Sequence, residues 1–161
     1  FVGSVVGKET EAQAVVEAMN GKINEIAALA EGIEEKKSVY FEISPAPYQY
    51  SFGQGTFLNE MIELIGATNI FADQDGWIPV SAEQVVAANP DVIITNADYM
   101  EGAVAEIEAR EGWAEVAAVK NHEVYLIGAN VSSQPCQNIV DALMEIAADV
   151  YPEVYGELIA K

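Results

Sequence analysis

Gly76-Trp77-Ile78-Pro79-Val80-Ser81-Ala82-Glu83-Gln84-Val85-Val86-Ala87-Ala88-Asn89-Pro90-Asp91-Val92-Ile93-Ile94 is the stretch on which the fold turns. Ser81 followed by Gln84 is a capping-box pattern, in which a hydroxyl and a side-chain amide satisfy N–H groups left unpaired at a helix start. Val85 and Val86 give that helix an apolar side, and Pro90, with no N–H to donate, ends it. The run Asp91-Val92-Ile93-Ile94-Thr95 is then almost wholly apolar, as a strand covered on both faces is. A helix feeding a buried strand is the building unit of a layered α/β domain.

Upstream, Thr10 with Gln13 repeats the capping pattern, and Val16, Met19, Ile23, Ile26, Ala30 and Ile33 recur at steps of three or four. The spacing predicts one long amphipathic helix over about residues 10–33. Ser38-Val39-Tyr40-Phe41-Glu42-Ile43 is rich in β-branched and aromatic residues and stops at Ser44-Pro45-Ala46-Pro47, whose prolines cannot continue a ladder. From Thr56, the spacing of Leu58, Met61, Ile62 and Ile65 before Gly66 predicts a short helix with a glycine at its end. Downstream, Glu123-Val124-Tyr125-Leu126-Ile127 reads as a strand, and Ile139, Leu143, Ile146 and Val150 as a helix stopped by Pro152.

This alternation predicts an α/β fold, a layered α/β/α lobe with a largely parallel central sheet, residues 37–161, behind the long helix. Ligands of such sheets gather beyond the carboxyl ends of the strands. The candidate loops are therefore residues 44–55, 96–102 and 128–134, with 71–80 beside them.

The length of 161 residues suits a single domain, 1–161, and no apolar run reaches the length of a membrane span. With 26 acidic and 7 basic residues, the formal charge of −19 repels phosphate backbones and anionic headgroups, so nucleic acid is not an expected partner. The first residues, Phe1 to Lys8, lack the pattern of a secretory signal, which leaves a cytoplasmic chain or a processed or truncated one. A single cysteine, Cys136, excludes an internal disulfide, and a single histidine, His122, leaves no cluster for a zinc or iron site. Any metal is expected to arrive already chelated or to be held by oxygen ligands, and no resident cofactor is expected.

Enzymatic chemistry finds little footing. Gly53-Gln54-Gly55 belongs to neither a phosphate loop nor a dinucleotide fingerprint. A nucleophilic triad would need His122, which reads more simply as a surface residue before a strand. Carboxylates are too numerous for any one pair to stand out as acid and base, so no catalytic residue is assigned. The 44–55 loop instead sets Tyr48, Tyr50 and Phe52 among glycines, an arrangement that brings flat rings and bare backbone to a large ligand or lets the rings plug the surface.

Taken as a whole, the Trp77-to-Asp91 segment resembles the C-terminal lobe of the class III, helical-backbone solute-binding proteins that serve ABC importers of ferric siderophores, haem and vitamin B12. Other pieces fall in the same order: Gly7-Lys8-Glu9, Gly53 to Phe57, Gly66-Ala67-Thr68-Asn69-Ile70, and Trp113 before Val119 and Val124. The resemblance implies two α/β lobes joined by a rigid helix, with the ligand between them. Only the interlobe helix, about residues 10–33, and the second lobe match this chain.

The same resemblance implies the roles. Trp77 looks like a cleft aromatic, which a loop anchor could equally be, and Glu83 like a permease-docking carboxylate, a position that also favours a helix N-terminus. With Tyr48, Tyr50, Phe52, Asn96, Tyr99 and Asn130, Trp77 makes up the expected ligand-binding set. After the strand at Val124 the chain offers Asn130, Val131, Ser132 and Ser133, with no arginine to meet an anionic siderophore. The expected ligand is an iron chelate, haem or a corrinoid, and the expected partners are ABC permease subunits and an N-terminal lobe, outside the cytoplasm. The alternatives are a zinc- or manganese-binding importer component, and a cytoplasmic α/β enzyme or regulatory domain.

Overall fold

The computed structural model describes residues 1–134 and 136–159. In chain order its elements are α1 (Val2–Val6), α2 (Glu9–Ala30), β1 (Ser38–Glu42), β2 (Tyr50–Phe52), α3 (Phe57–Leu64), β3 (Thr68–Asn69), β4 (Trp77–Pro79) and α4 (Ala82–Ala88). There follow β5 (Val92–Thr95), α5 (Ala103–Glu108), α6 (Ala117–Lys120), β6 (Val124–Leu126), α7 (Ala129–Ser132), α8 (Ile139–Val150) and α9 (Pro152–Ile159).

Among the described residues β3, β1, β5 and β6 pair in that order, every pair parallel, while β2 and β4 form a separate antiparallel pair. Successive strand residues face opposite sides, and the sequence obeys that period of two. Val39, Phe41, Val92 and Ile94 enter one core with α3, α8, Tyr151 and Tyr155. Tyr40, Ile93 and Val124 enter the other with Val85 of α4, Ile107 of α5 and Trp113. Each such aliphatic or aromatic side chain, fully buried, is worth about 1.5–3 kcal/mol. The layered α/β/α lobe with a parallel sheet is thus the observed architecture.

Local signals acted where expected at several points. Ser81 accepts from the Gln84 N–H and the Gln84 side chain accepts from the Ser81 N–H, closing the capping box of α4. Thr56 caps α3 by accepting from Asn59 N–H, and Gly66, at φ 83°, turns the chain away beneath Ile33 and Ala30.

The opening helix differs from its prediction. It starts at Glu9 with Lys8 as its cap, and no side chain makes the capping bond. The separate turn of α1 leads into it through Gly7, at φ 67°, and Lys8 N–H donates to Gly3 O, so Thr10 lies inside the helix. The helix ends at Ala30, and the turn bonds Gly32 N–H to Leu29 O and Ile33 N–H to Ala30 O finish the segment expected to be helical. Ile26 is its buried residue, whereas Val15, Val16, Val2 and Val5 are exposed. The second half of α2 therefore belongs to the lobe, and the first half with α1 presents an apolar surface to solvent.

Candidate ligand-binding site

Because every strand of the main sheet points the same way, the segments after β1, β3, β5 and β6 meet at one edge. There the β2–β4 pair joins the 44–55 loop to the 71–80 loop, with Phe52 opposite Trp77 and Tyr50 opposite Pro79. Ser51 Oγ donates to Phe41 O at 2.7 Å and fastens the pair to β1. Phe52 is 0% exposed and packs on Phe41 with ring centroids 5.3 Å apart. Trp77 leans edge-on against Phe52 at 5.8 Å and Phe57 at 6.1 Å, with 51% of its surface still open. Gly53 allows the approach: an added Cβ would overlap Gln74 O and stand 2.6 Å from Phe71 O.

Behind β5 and β6 the bracing is polar. The Asn96 amide donates to Ser132 Oγ and Ser133 Oγ, both at 3.2 Å, and Ser132 Oγ donates to Gly128 O. Ala129 N–H donates to Asp98 Oδ2 at 2.9 Å, tying the 96–102 loop to the first turn of α7.

Between the two flanks lies a buried ion pair. Arg110 clamps Glu42 with two hydrogen bonds, 2.7 and 2.8 Å, and also binds Glu106. Glu42 is wholly buried at the carboxyl end of β1, where it accepts from Gln49 Nε2 at 3.0 Å and from Tyr40 Oη at 3.2 Å. Burial pulls the Arg110 guanidinium down, but its bonds to Glu42 and Glu106 raise it further, so it stays charged. Burial and then the Glu42 charge push the Tyr40 phenol up, keeping it a donor. Removing either charge would strand the other, at a cost of about 3–5 kcal/mol. Gln49 sits between Tyr48 and Tyr50, so the pair also fixes the aromatic loop.

The expected site residues divide accordingly. Tyr48 (79% exposed), Tyr50 (44%), Trp77 (51%) and Tyr99 (72%) stand open, and Asn130 is exposed on α7. Phe52 and Asn96 are corrected from ligand contacts to supports. Phe52 packs on Phe41 in the core beneath Trp77, and Asn96, 4% exposed, spends its amide on the two serines. Glu83 is exposed in the first turn of α4, where its own N–H and the Ser81 hydroxyl hold its carboxyl below the usual range and keep it ionised.

Sequence reasoning missed Glu42, Gln49, Arg110, Asn59 and Asn69. Asn69 donates to Phe52 O and Asn59 Oδ1 and accepts from Phe71 N–H, locking the floor of the hairpin. The available signals were a lone acid in an aromatic strand and the sole arginine of the chain, Arg110. Among the described residues no helix is long and apolar enough to cross a membrane, and no group of three or more His, Cys, Asp or Glu is placed to hold a metal ion.

Residues 1–131 match a family model described as periplasmic binding protein. The chain is 36% identical over 159 residues to YvrC of Bacillus subtilis, named an uncharacterized ABC transporter substrate-binding lipoprotein; the match covers 98% of this chain and 50% of YvrC. It is 33% identical over 109 residues to the vitamin B12-binding protein of Vibrio cholerae, covering 66% of this chain and 38% of that protein. A crystal structure from Staphylococcus epidermidis, of a possible iron-binding (periplasmic solute-binding) protein, superposes with a TM-score of 0.81 at 28% identity, over 93% of this chain and 58% of that one. The chain spans about half the length of YvrC, or less of the other curated relative.

Proposed function

The chain belongs to the periplasmic binding protein family, and from that premise we propose that it is the C-terminal lobe of the solute-binding component of an ABC importer. The observation that carries the reading is Trp77, half open to solvent at the carboxyl edge of the sheet and backed by Phe52 and Phe57. A large apolar ring held from behind and bare in front is a binding surface whose ordering is already complete before a ligand arrives.

Tyr48, Tyr50, Tyr99 and Asn130, exposed on the segments of the same edge, extend the contact area. The ligand is a bulky metal chelate, a ferric siderophore, haem or a corrinoid, which brings its own metal, and the lobe carries out no chemistry on it. An N-terminal lobe closes the other side of the cleft, with α2 as the connecting helix and the exposed valines of α1 and α2 beneath it. The protein works outside the cytoplasm, free or lipid-anchored. Glu83, ionised on an exposed helix turn, meets a cationic residue of the permease.

Titrating the full two-lobed protein with ferric siderophores, haemin and cobalamin is expected to show saturable binding of at least one, and failure of all of them contradicts the proposal. Replacing Glu83 by Ala should leave that affinity unchanged while uptake falls, with charge reversal to Lys worse still. Unimpaired uptake in both variants would remove Glu83 from the docking surface.

A further inference from the structure

None of the side chains of fixed positive charge among the described residues lies in the segments that form the open edge of the sheet. Lys8 pairs with Glu11, Lys22 with Asp141 and Lys120 with Glu115. Lys36 and Lys37 precede the amino end of β1, where Lys37 Nζ donates to Val150 O, and Lys161 lies outside the described residues. Arg110 is consumed by Glu42 and Glu106, with 9% of its side chain exposed. His122 lies before β6, at the opposite edge, against Glu108.

The segments that do meet at the edge, 44–55, 71–80, 96–102 and 128–134, contain no Lys, Arg or His. They contain Asp73, Asp75, Asp98 and Glu101, all exposed. The backbone offers an anion little in return: the Ala129 N–H at the start of α7 is already taken by Asp98, and Asn59 N–H at the start of α3 by Thr56. Tyr48, Tyr50, Trp77 and Tyr99 supply ring faces, which are electronegative and attract cations.

Building on the solute-binding reading, we infer that the ligand turns a neutral or cationic, broad and weakly polar face toward this lobe, and that polyanionic chelates are selected against. An anionic chelate would bring its charge toward four carboxylates with no guanidinium to receive it. A neutral or positively charged chelate meets rings and carboxylates that suit it.

The test compares dissociation constants of the full-length protein for four probes at fixed ionic strength. They are ferrioxamine B, a cationic ferric trihydroxamate; ferrichrome and cyanocobalamin, both neutral; and the trianionic ferric complex of enterobactin. The tightest binder is expected among the first three, at least tenfold ahead of the trianion, with the gap narrowing as salt screens the carboxylates. A paired Asp73→Asn and Asp75→Asn variant should shrink that gap without altering the affinity for neutral probes. Tightest binding of the trianion overturns the charge assignment and leaves the import reading standing, whereas binding of none of the four, nor of haemin, overturns both.

Discussion

On the hairpin flank Trp77 rests on Phe52 and Phe57, so the shape of the rim there is set by ring packing against a dry core. On the flank beyond β5 and β6, Asn96 holds Ser132 and Ser133 with two 3.2 Å hydrogen bonds, and Asp98 holds the first turn of α7. Packing is cumulative and hard to undo piecemeal, whereas each hydrogen bond exchanged for water contributes only about 0.5–1.5 kcal/mol net. The same rim thus has a stiff aromatic side and a more adjustable polar side. Glu42 and Arg110 stand where the two meet, one tied to Gln49 of the aromatic loop and the other on the turn after α5.

The largest expected effect comes from emptying the stiff side. Phe52→Ala should cost about 3–5 kcal/mol, as large-to-small changes in a packed core do, read as a lower denaturation midpoint. It should also speed amide exchange in residues 49–55 and 74–79 while leaving 128–133 protected. On the polar side Asn96→Ala is expected to cost less, about 1–2 kcal/mol, because Ser132 keeps its bond to Gly128 O. Its faster exchange should be confined to residues 96–102 and 128–133. Equal losses for the two variants, or exchange that spreads across both flanks, would erase the distinction.

A smaller effect lies on α8 and serves as a control. Burial, then the neighbouring Glu145 charge, raise the Asp149 carboxyl from 3.8 to about 6. The fold therefore holds this proton more tightly than the open chain does. That contribution is present below about pH 4 and is lost as pH rises through about 6. Asp149→Asn should stabilise the lobe at pH 7 by about 1 kcal/mol after allowance for solvent screening, flatten stability between pH 4 and 6, and leave both flanks unchanged.

The sequence showed clearly those features whose causes are local. The Ser81–Gln84 box needs residues three apart, and the Val92–Thr95 strand announces itself by unbroken apolar character, so both were readable and both are present. The β2–β4 pair was not, because each strand has three residues and their partners lie more than twenty positions away. Nor was the Glu42–Arg110 pair, whose members are 68 residues apart and meet only once the sheet and α5 have packed. Thr10 with Gln13 misled because the pattern is generic, and the turn of α1 through Gly7 supplied a different start.

For the site, resemblance pointed to Trp77 and the make-up of the 44–55 loop to its tyrosines, all of which the structure leaves open. It could not separate Tyr50, exposed at the start of β2, from Phe52, buried at its end. Two positions apart, the two rings share a face of β2, and what separates them is depth: Phe52 rests on Phe41 of the core, whereas Tyr50 lies at the other end of the pair, opposite Pro79.

The most direct measurement is the affinity of the full two-lobed protein carrying Trp77→Ala for whichever chelate the native protein binds, taken beside its thermal midpoint. A pre-ordered tryptophan in contact with the ligand predicts a loss of about 2 kcal/mol, roughly thirtyfold in the dissociation constant. Because half of the ring is already open to solvent, the change in melting temperature should be smaller than that caused by Phe52→Ala. An unchanged dissociation constant would contradict the account, since the ring held open by Phe52 and Phe57 would then not be where the ligand rests.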